Sequence, residues 1–291
     1  MSVSDIKRRI LNLIPDKMYL KIRYRLKRGE KLNLSHPVNY NEKLNWLKLY
    51  DRKPEYKSMV DKFSAKEFAA SIIGKEHIIP NIGVWDRFED IDTEALPDKF
   101  VLKCTHNSGG VCVCTDKASF DFQKAGKKLS EELKKDYYYF GREWVYKGIK
   151  PRILSETYMT DESGSELKDY KVFCFNGVPK MIEVIYGRYT GKSGCNLYTP
   201  DWEYLDGASV HFPSDKSHVI ARPDKLEEML DYAAKLSKGI PHVRVDFYIT
   251  GDTVYFGEMT FFHSNGFGGF VPKEFNKMLG DWIELPDRKH K

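Results

Sequence analysis

Cysteine is scarce in this chain, and long apolar runs and low-complexity tracts are missing. Its five cysteines, Cys104, Cys112, Cys114, Cys174 and Cys195, form an odd set, several of them alternating within strand-like runs. That pattern fits buried reduced thiols better than a disulfide framework. Cys112 and Cys114 lack a second pair at finger spacing, which argues against structural zinc. No apolar run approaches the roughly 18 residues of a spanning helix, and no apolar signal core opens the chain, so a cytoplasmic protein is the expectation. Internal repeats are also missing.

What is present is a 291-residue chain, 41% hydrophobic, long enough for two lobes or one large α/β unit. Its net charge of +5 is uneven. Residues 1–31 hold ten Lys or Arg against three acids, a local +7, so the remainder carries −2. A slightly acidic body without a basic groove argues against nucleic acid as a partner. The basic segment interleaves Ile6, Ile10, Leu13, Ile14, Met18, Tyr19, Leu20, Ile22 and Leu26. It suits an anionic membrane or an acidic polymer. A solvated helical pair is the alternative.

Residues 4–30 read as two short helices broken at Pro15, and residues 42–50 as a further helix. Another is expected from Asp61 to about Ser71, ended by Gly74. Short strands follow at 78–80, 84–85 and 100–103, then a charged helix over roughly 120–135. The aromatic stretch 136–144 has no clear element. Two hairpins dominate the C-terminal half: 169–175 with 178–186 around Asn176-Gly177, and 243–249 with 254–260, with a helix over 224–238 between them.

The run FVLKCTHNSGGVCVCT at 100–115 places one lysine, Lys103, on an apolar strand that empties into a small-residue loop. Gly109 and Gly110 permit close approach and positive φ. The amides of Asn107, Ser108, Gly109 and Gly110 could cradle phosphate oxygens, with Lys103 adding a point charge. An ordinary hairpin loop reads equally well. In the second hairpin, a three-residue loop at 251–253 pairs position i with 504 − i. Asp246 then stands opposite Glu258, with Cβ atoms about 5 Å apart. Alternation puts Arg244, Asp246 and Tyr248 on one face. Two convergent carboxylates suit Mg²⁺, whereas a one-residue slip would send them to opposite faces. The loop HSNGFGGF at 263–270 follows at once, either an anion nest or a packed aromatic loop.

In this order, Asp61-Lys62, Lys103 before NSGG, ILSETY at 153–158, RVD at 244–246 and EMT at 258–260 resemble an ATP-grasp enzyme over residues 61–270. The resemblance is closest to the branch associated with teichuronopeptide and capsular polysaccharide synthesis, through NEKLNWLKLYD at 41–51 and DYKVFCFNG at 169–177. It implies an α+β ATP-grasp fold, two lobes clamping ATP. Residues 1–60 would be a basic helical region, 61–155 the first lobe and 156–291 the second, with the metal site. Lys62 and Lys103 would hold ATP phosphates, with loop 107–110 closing over them. Glu156, Thr157 and Tyr158 would read adenine and ribose at the hinge, and Asp169 or Lys171 would contact nucleotide or substrate. Arg188 and Arg244 would serve the substrate carboxylate or the transferring phosphoryl. Asp246 and Glu258 would bind Mg²⁺. Thr260 stands where the family pattern has asparagine, a poorer ligand. The implied activity is an ATP- and Mg²⁺-dependent carboxylate–amine ligase working through an acyl phosphate, joining an amino acid or other amine to a surface-glycan precursor at the inner membrane face, which residues 1–31 would contact peripherally. The alternatives are a small-molecule or sugar kinase of the same fold, a glycosyltransferase, or a glycan-binding protein.

Overall fold

The computed structural model describes residues 13–160, 167–187 and 193–287. The first helix expected before Pro15 falls largely outside them. Helix Asp16–Arg28 follows Pro15 and stops at Gly29, whose φ of 72° makes a left-handed cap. Helix Tyr40–Tyr50 begins in a capping box: Asn39 accepts from the Glu42 amide while Glu42 accepts from the Asn39 amide. The helix expected from Asp61 starts later, at Ser64, and runs to Ile73. Asp61 stays outside as its cap, accepting from the Ser64 amide and hydroxyl at 3.0 and 2.9 Å.

Two antiparallel sheets carry the rest. The smaller has strands β1 (Asn81–Trp85), β2 (Phe100–Cys104), β3 (Val111–Cys114) and β4 (Ile153–Thr157), ordered β1-β4-β2-β3. Helix Phe122–Leu133 covers it, and Phe100, Leu102, Cys104, Cys114, Leu129 and Ile153 fill its core. The larger sheet is built from β5 (Asp169–Phe175), β6 (Val178–Tyr186), β7 (Gly194–Tyr198) and β8 (Tyr204–Leu205). After β9 (Ala208–Ser209) and helix Leu226–Ser237, it is completed by β10 (His242–Thr250) and β11 (Thr253–Thr260), in the order β11-β10-β5-β6-β7-β8. A last strand, β12 (Phe270–Val271), pairs with β9 and leads into helix Lys273–Asp281. Val243, Val245 and Phe247 are fully buried on one face of β10, in one apolar core with Leu226, Met229, Ala233 and Leu236. Tyr19, Leu20, Tyr24, Leu44 and Leu47 of the N-terminal helices join that same core.

Asn176 and Gly177 turn β5 into β6 with φ of 53° and 82°, the mirror-image turn that Asn-Gly favours. Two expectations are corrected, and a stretch without an assigned element gains one. Residues 78–80 form no strand: the chain makes a 3₁₀ turn at Lys75–His77, and Ile78 makes one isolated parallel bridge to Phe256 before β1 begins. The aromatic stretch becomes a helical turn, Tyr138–Gly141, with the buried Arg142 guanidinium 4.6 Å from the Tyr19 ring and 5.1 Å from Tyr139. The second correction concerns the β10–β11 turn, which has two residues rather than three. Thr250 pairs with Thr253 and Phe247 with Phe256, yet Asp246 pairs with Glu258. Gly257 is the surplus residue, a bulge that restores the expected pairing from a shorter turn.

Candidate active site

The polar face of the large sheet and one face of the small one enclose a cleft of about 410 Å³. Its floor is a transverse row set by register: Glu258 opposite Asp246, Asp246 opposite Lys171, Lys171 opposite Glu183. Arg244 lies two residues along β10 on the same face. It grips Asp246 with both edges of its fork, Nε to Oδ1 at 2.6 Å and Nη2 to Oδ2 at 2.7 Å. Nη2 also donates to Thr260 Oγ1 at 3.1 Å and Glu258 Oε1 at 3.4 Å. Lys171 donates to Asp246 Oδ2 and pairs with Asp169 Oδ2 at 2.8 Å. Burial alone would raise the Asp246 pKa, but Arg244 and Lys171 overcome it and hold the carboxyl below its ordinary value. Arg244 is shifted upward: burial opposes its charge, and Asp246 outweighs burial.

On the opposite wall, Lys103 of β2 pairs with Glu156 Oε1 of β4, and Lys66 of helix Ser64–Ile73 reaches Glu156 Oε2 at 2.7 Å. Lys66 donates further to Ile79 O at 2.8 Å and Asn81 Oδ1 at 2.7 Å. Glu156 is nearly fully buried, which raises its pKa, yet Lys103 and Lys66 bring it below the usual carboxylate range. Desolvation lowers the Lys66 pKa despite Glu156. Lys62 is also lowered by burial; it donates to Asn107 O and stands 4.0 Å from Glu258 Oε2, so the two walls meet there.

Loop 107–110 is arranged differently from a free phosphate cradle. The Asn107 side chain already accepts from the Gly109 and Gly110 amides, at 3.3 and 3.2 Å, and donates to Glu132 at 3.1 Å. Neither glycine has positive φ. Gly110 is required for space, since a Cβ there would lie 2.7 Å from Cys104 Sγ. The group this loop offers the cleft is Ser108, whose hydroxyl shares a 2.7 Å hydrogen bond with Tyr137.

The loop after β11 turns through Ser264, Asn265 and Gly266 at φ of 50°, 55° and 63°. Its carbonyls are held from helix Tyr40–Tyr50. Asn41 donates to Gly268 O at 2.9 Å, Asn45 to Gly266 O at 2.7 Å and Lys48 to Asn265 O at 2.5 Å. At Gly269, with φ of 117°, a Cβ would sit 2.8 Å from Asn41 Nδ2. These glycines therefore let a buried polar helix face approach the loop. The clamp fixes His263, whose Nδ1 lies 3.0 Å from Arg244 Nη1. A guanidinium only donates, so Nδ1 accepts and the ring proton of neutral His263 sits on Nε2. Burial and the neighbouring Arg244 hold His263 neutral.

The cleft thus brings together Lys62, Lys103, Ser108, Glu156, Thr157, Tyr158, Asp169, Lys171, Arg244, Asp246 and Glu258. Asn107, Gly109 and Gly110 support its edge, and Thr260 orients Arg244. Arg188 lies outside the described residues. The motifs above single out neither Lys66, Glu183 nor the Asn41–Asn45–Lys48 row. Lys66 and the row were visible as spacing: Lys66 is one helical turn after Lys62, and positions 41, 45 and 48 share one helix face. Glu183 is 1% exposed, its Oε1 has no hydrogen-bond partner among the described residues, and burial raises its pKa.

For a divalent cation, Glu258 is partly exposed to the cleft, and Asp246 Oδ1 accepts only one hydrogen bond. Among the described residues no three His, Cys, Asp or Glu close round one point. The donor set fits an ion such as Mg²⁺, which takes one or two carboxylates and fills its other positions with water and phosphate.

A family model described as TupA-like ATPgrasp matches residues 42–284. Among solved structures, D-alanine–D-alanine ligase from Bacillus anthracis complexed with ATP is 17% identical. Its TM-score is 0.40, and the match covers 69% of this chain and 54% of that one. The Helicobacter pylori D-alanine–D-alanine ligase is 15% identical at TM-score 0.44, covering 85% and 70%. D-cycloserine synthetase DcsG is 14% identical at TM-score 0.41, covering 72% and 64%. The chain spans about half the length of the first of these. No curated protein matches the sequence.

Proposed function

The chain belongs to the TupA-like ATP-grasp family, and from that premise we propose that it is an ATP- and Mg²⁺-dependent carboxylate–amine ligase acting on a surface-polysaccharide precursor. The observation that carries the reading is the 4.0 Å approach of Lys62 Nζ to Glu258 Oε2. It sets the cationic wall of Lys62 and Lys103 against the floor of Arg244, Asp246 and Glu258 at one point. The polysaccharide context rests on the sequence resemblance at 41–51 and 169–177, and nothing among the described residues of the cleft selects a particular glycan.

In this reading the adenine lies between Ile79, Val101, Val113 and Met159, with Thr157 and Tyr158 at its edge. Lys103 and Lys62 neutralise the phosphates, and Ser108 closes over them. Asp246 and Glu258 would hold Mg²⁺, which would neutralise phosphate charge as it is transferred. A substrate carboxylate oxygen attacks the γ-phosphorus and ADP leaves with the bridging oxygen, giving an acyl phosphate. The amine nitrogen then attacks the acyl carbon, phosphate departs, and the nitrogen loses a proton. Arg244, fixed by Asp246 and Thr260, aligns carboxylate and phosphoryl, so positioning and charge carry the catalysis. Glu183 and the His263 Nε2–H offer an acceptor and a donor to the second substrate.

The test is ADP release from Mg-ATP across a panel of amino acids and uronic acids with hydroxylamine present. A hydroxamate that depends on one carboxylate supports the ligase. ADP formation without hydroxamate favours a kinase.

A further inference from the structure

Helix Asp16–Arg28 buries Tyr19, Leu20 and Tyr24, and that one face is enough to dock it. The half turned to solvent is nevertheless not uniformly polar. Met18, Ile22 and Leu26 are 55%, 43% and 76% exposed, and Leu13 just before the helix is 84% exposed. Lys17, Lys21 and Arg25 are exposed beside them. At about 100° per residue, Lys17, Lys21 and Arg25 fall on one side of this half and Met18, Ile22 and Leu26 on the other. Two strips, one basic and one apolar, run side by side for about 12 Å.

Residues 17–28 contain six basic residues and no acid. The nearest acids are already engaged: Asp16 pairs with Arg52 at 2.8 Å, and Glu30 with Lys273 at 2.8 Å. Among the described residues the basic strip therefore has no ion-pair partner. An acidic polymer would require only the charges. The adjoining apolar strip gains nothing from such a partner and costs exposure to water, whereas both strips are used when a helix lies at a bilayer surface with apolar side chains in the acyl boundary and cations at the headgroups.

We infer that helix Asp16–Arg28 is a peripheral docking surface for an anionic phospholipid membrane. This goes beyond the ligase reading and does not depend on it. The helix end also touches the loop after β11: Arg28 Nη1 donates to Gly268 O at 2.7 Å, the same carbonyl that Asn41 holds. Docking by this face would bring the loop bearing His263 and Ser264 close to the bilayer, within reach of a membrane-borne acceptor.

The experiment is flotation of the full chain with vesicles of phosphatidylglycerol and phosphatidylcholine, against phosphatidylcholine alone. The inference predicts binding to anionic vesicles only, weakened by salt. It further predicts a loss of at least about tenfold in affinity both for Lys17→Glu/Lys21→Glu/Arg25→Glu and for Met18→Ser/Ile22→Ser/Leu26→Ser. Equal binding to both vesicles, no binding, or wild-type binding by the serine variant would overturn it; the last would indicate docking by charge alone. Should the triple serine variant not unfold cooperatively, Leu26→Ser alone replaces it and must weaken binding. Thermal stabilisation by Mg-ATP, measured on the same samples, separates this outcome from the fate of the ligase reading.

Discussion

Asp246 stands opposite Glu258 because Gly257 is inserted between their strands' two registers. From the turn to Phe247, pairs sum to 503, and beyond the bulge they sum to 504. Without it, Gly257 and Met259 would share the face of Asp246, and Glu258 and Thr260 would point into the core. Deleting Gly257 moves Glu258 into the place that the 503 register sets opposite Asp246, so thermal stabilisation by Mg-ATP is expected to survive the deletion, whereas inserting a second residue beside Gly257 turns Glu258 and Thr260 into the core and is expected to abolish it. Gly257→Ala should cost about 1–3 kcal/mol, since its Cβ would sit 3.0 Å from Asp246 O. Chemical denaturation and nucleotide-dependent melting check both.

The two carboxylates should respond differently to neutralisation. Glu258 is partly exposed, so Glu258→Gln should change stability by less than about 0.5 kcal/mol and still remove turnover. Asp246 is 1% exposed and bound to Arg244 and Lys171. Asp246→Asn should therefore cost about 3–5 kcal/mol by leaving buried cations uncompensated. Equal melting temperatures for the two variants would contradict the geometry.

Lys66 and Lys103 share Glu156 but differ in access. Lys103 lines the cleft, whereas Lys66 is 4% exposed and ends on Ile79 O and Asn81. Lys103→Met should weaken ATP binding with a small change in melting temperature, and Lys66→Met should lower the melting temperature more. Calorimetric titration with ATP beside thermal melts separates them.

The clamp on the loop after β11 predicts a kinetic split. Asn45→Ala frees Gly266 O, and His263 and Ser264 lose their fixed positions. Turnover should fall at least about tenfold while ATP affinity stays within about twofold, the signature of a lost positioning contact. Binding and rate measurements on one preparation decide it.

Glu143 supplies a pH prediction. It is 3% exposed, and burial raises its pKa from 4.5 to about 7, against the pull of Lys48. Between those values the folded state binds more protons than the unfolded one, so stability falls as pH rises from about 4.5 to about 7, by on the order of 3 kcal/mol. Lys48, lowered to about 8 by burial, acts only above that window. Glu143→Gln should flatten the slope in urea midpoints measured from pH 5 to 7.

Much of this was legible in the residues because it is local. Asn176-Gly177 specifies its turn, and alternation along 243–249 puts Arg244 and Asp246 on one face. The bulge was legible only in part: Val254, Phe256 and Met259 are spaced by two and then three, marking a slip without locating it. Residues 78–80 look like a strand, but among the described residues Ile78 makes one isolated bridge, to Phe256, and no ladder continues it. Asn107 reads as a phosphate ligand until its side chain is seen to occupy the neighbouring amides. Glu183 carried no motif, since its place depends on β5 and β6 register opposite Lys171. Residues 78–80 and Glu183 share a cause, since their place depends on strand pairing, whereas Asn107 is decided by a local turn of its own side chain.

The central claim is that the γ-phosphoryl passes to a carboxylate. With the carboxylate identified by hydroxamate trapping labelled with ¹⁸O in both oxygens, the inorganic phosphate released during amide formation can be analysed by mass spectrometry. The account predicts one ¹⁸O atom per phosphate, carried over when the acyl phosphate is broken by the amine. Phosphate without ¹⁸O, or AMP in place of ADP, would contradict it.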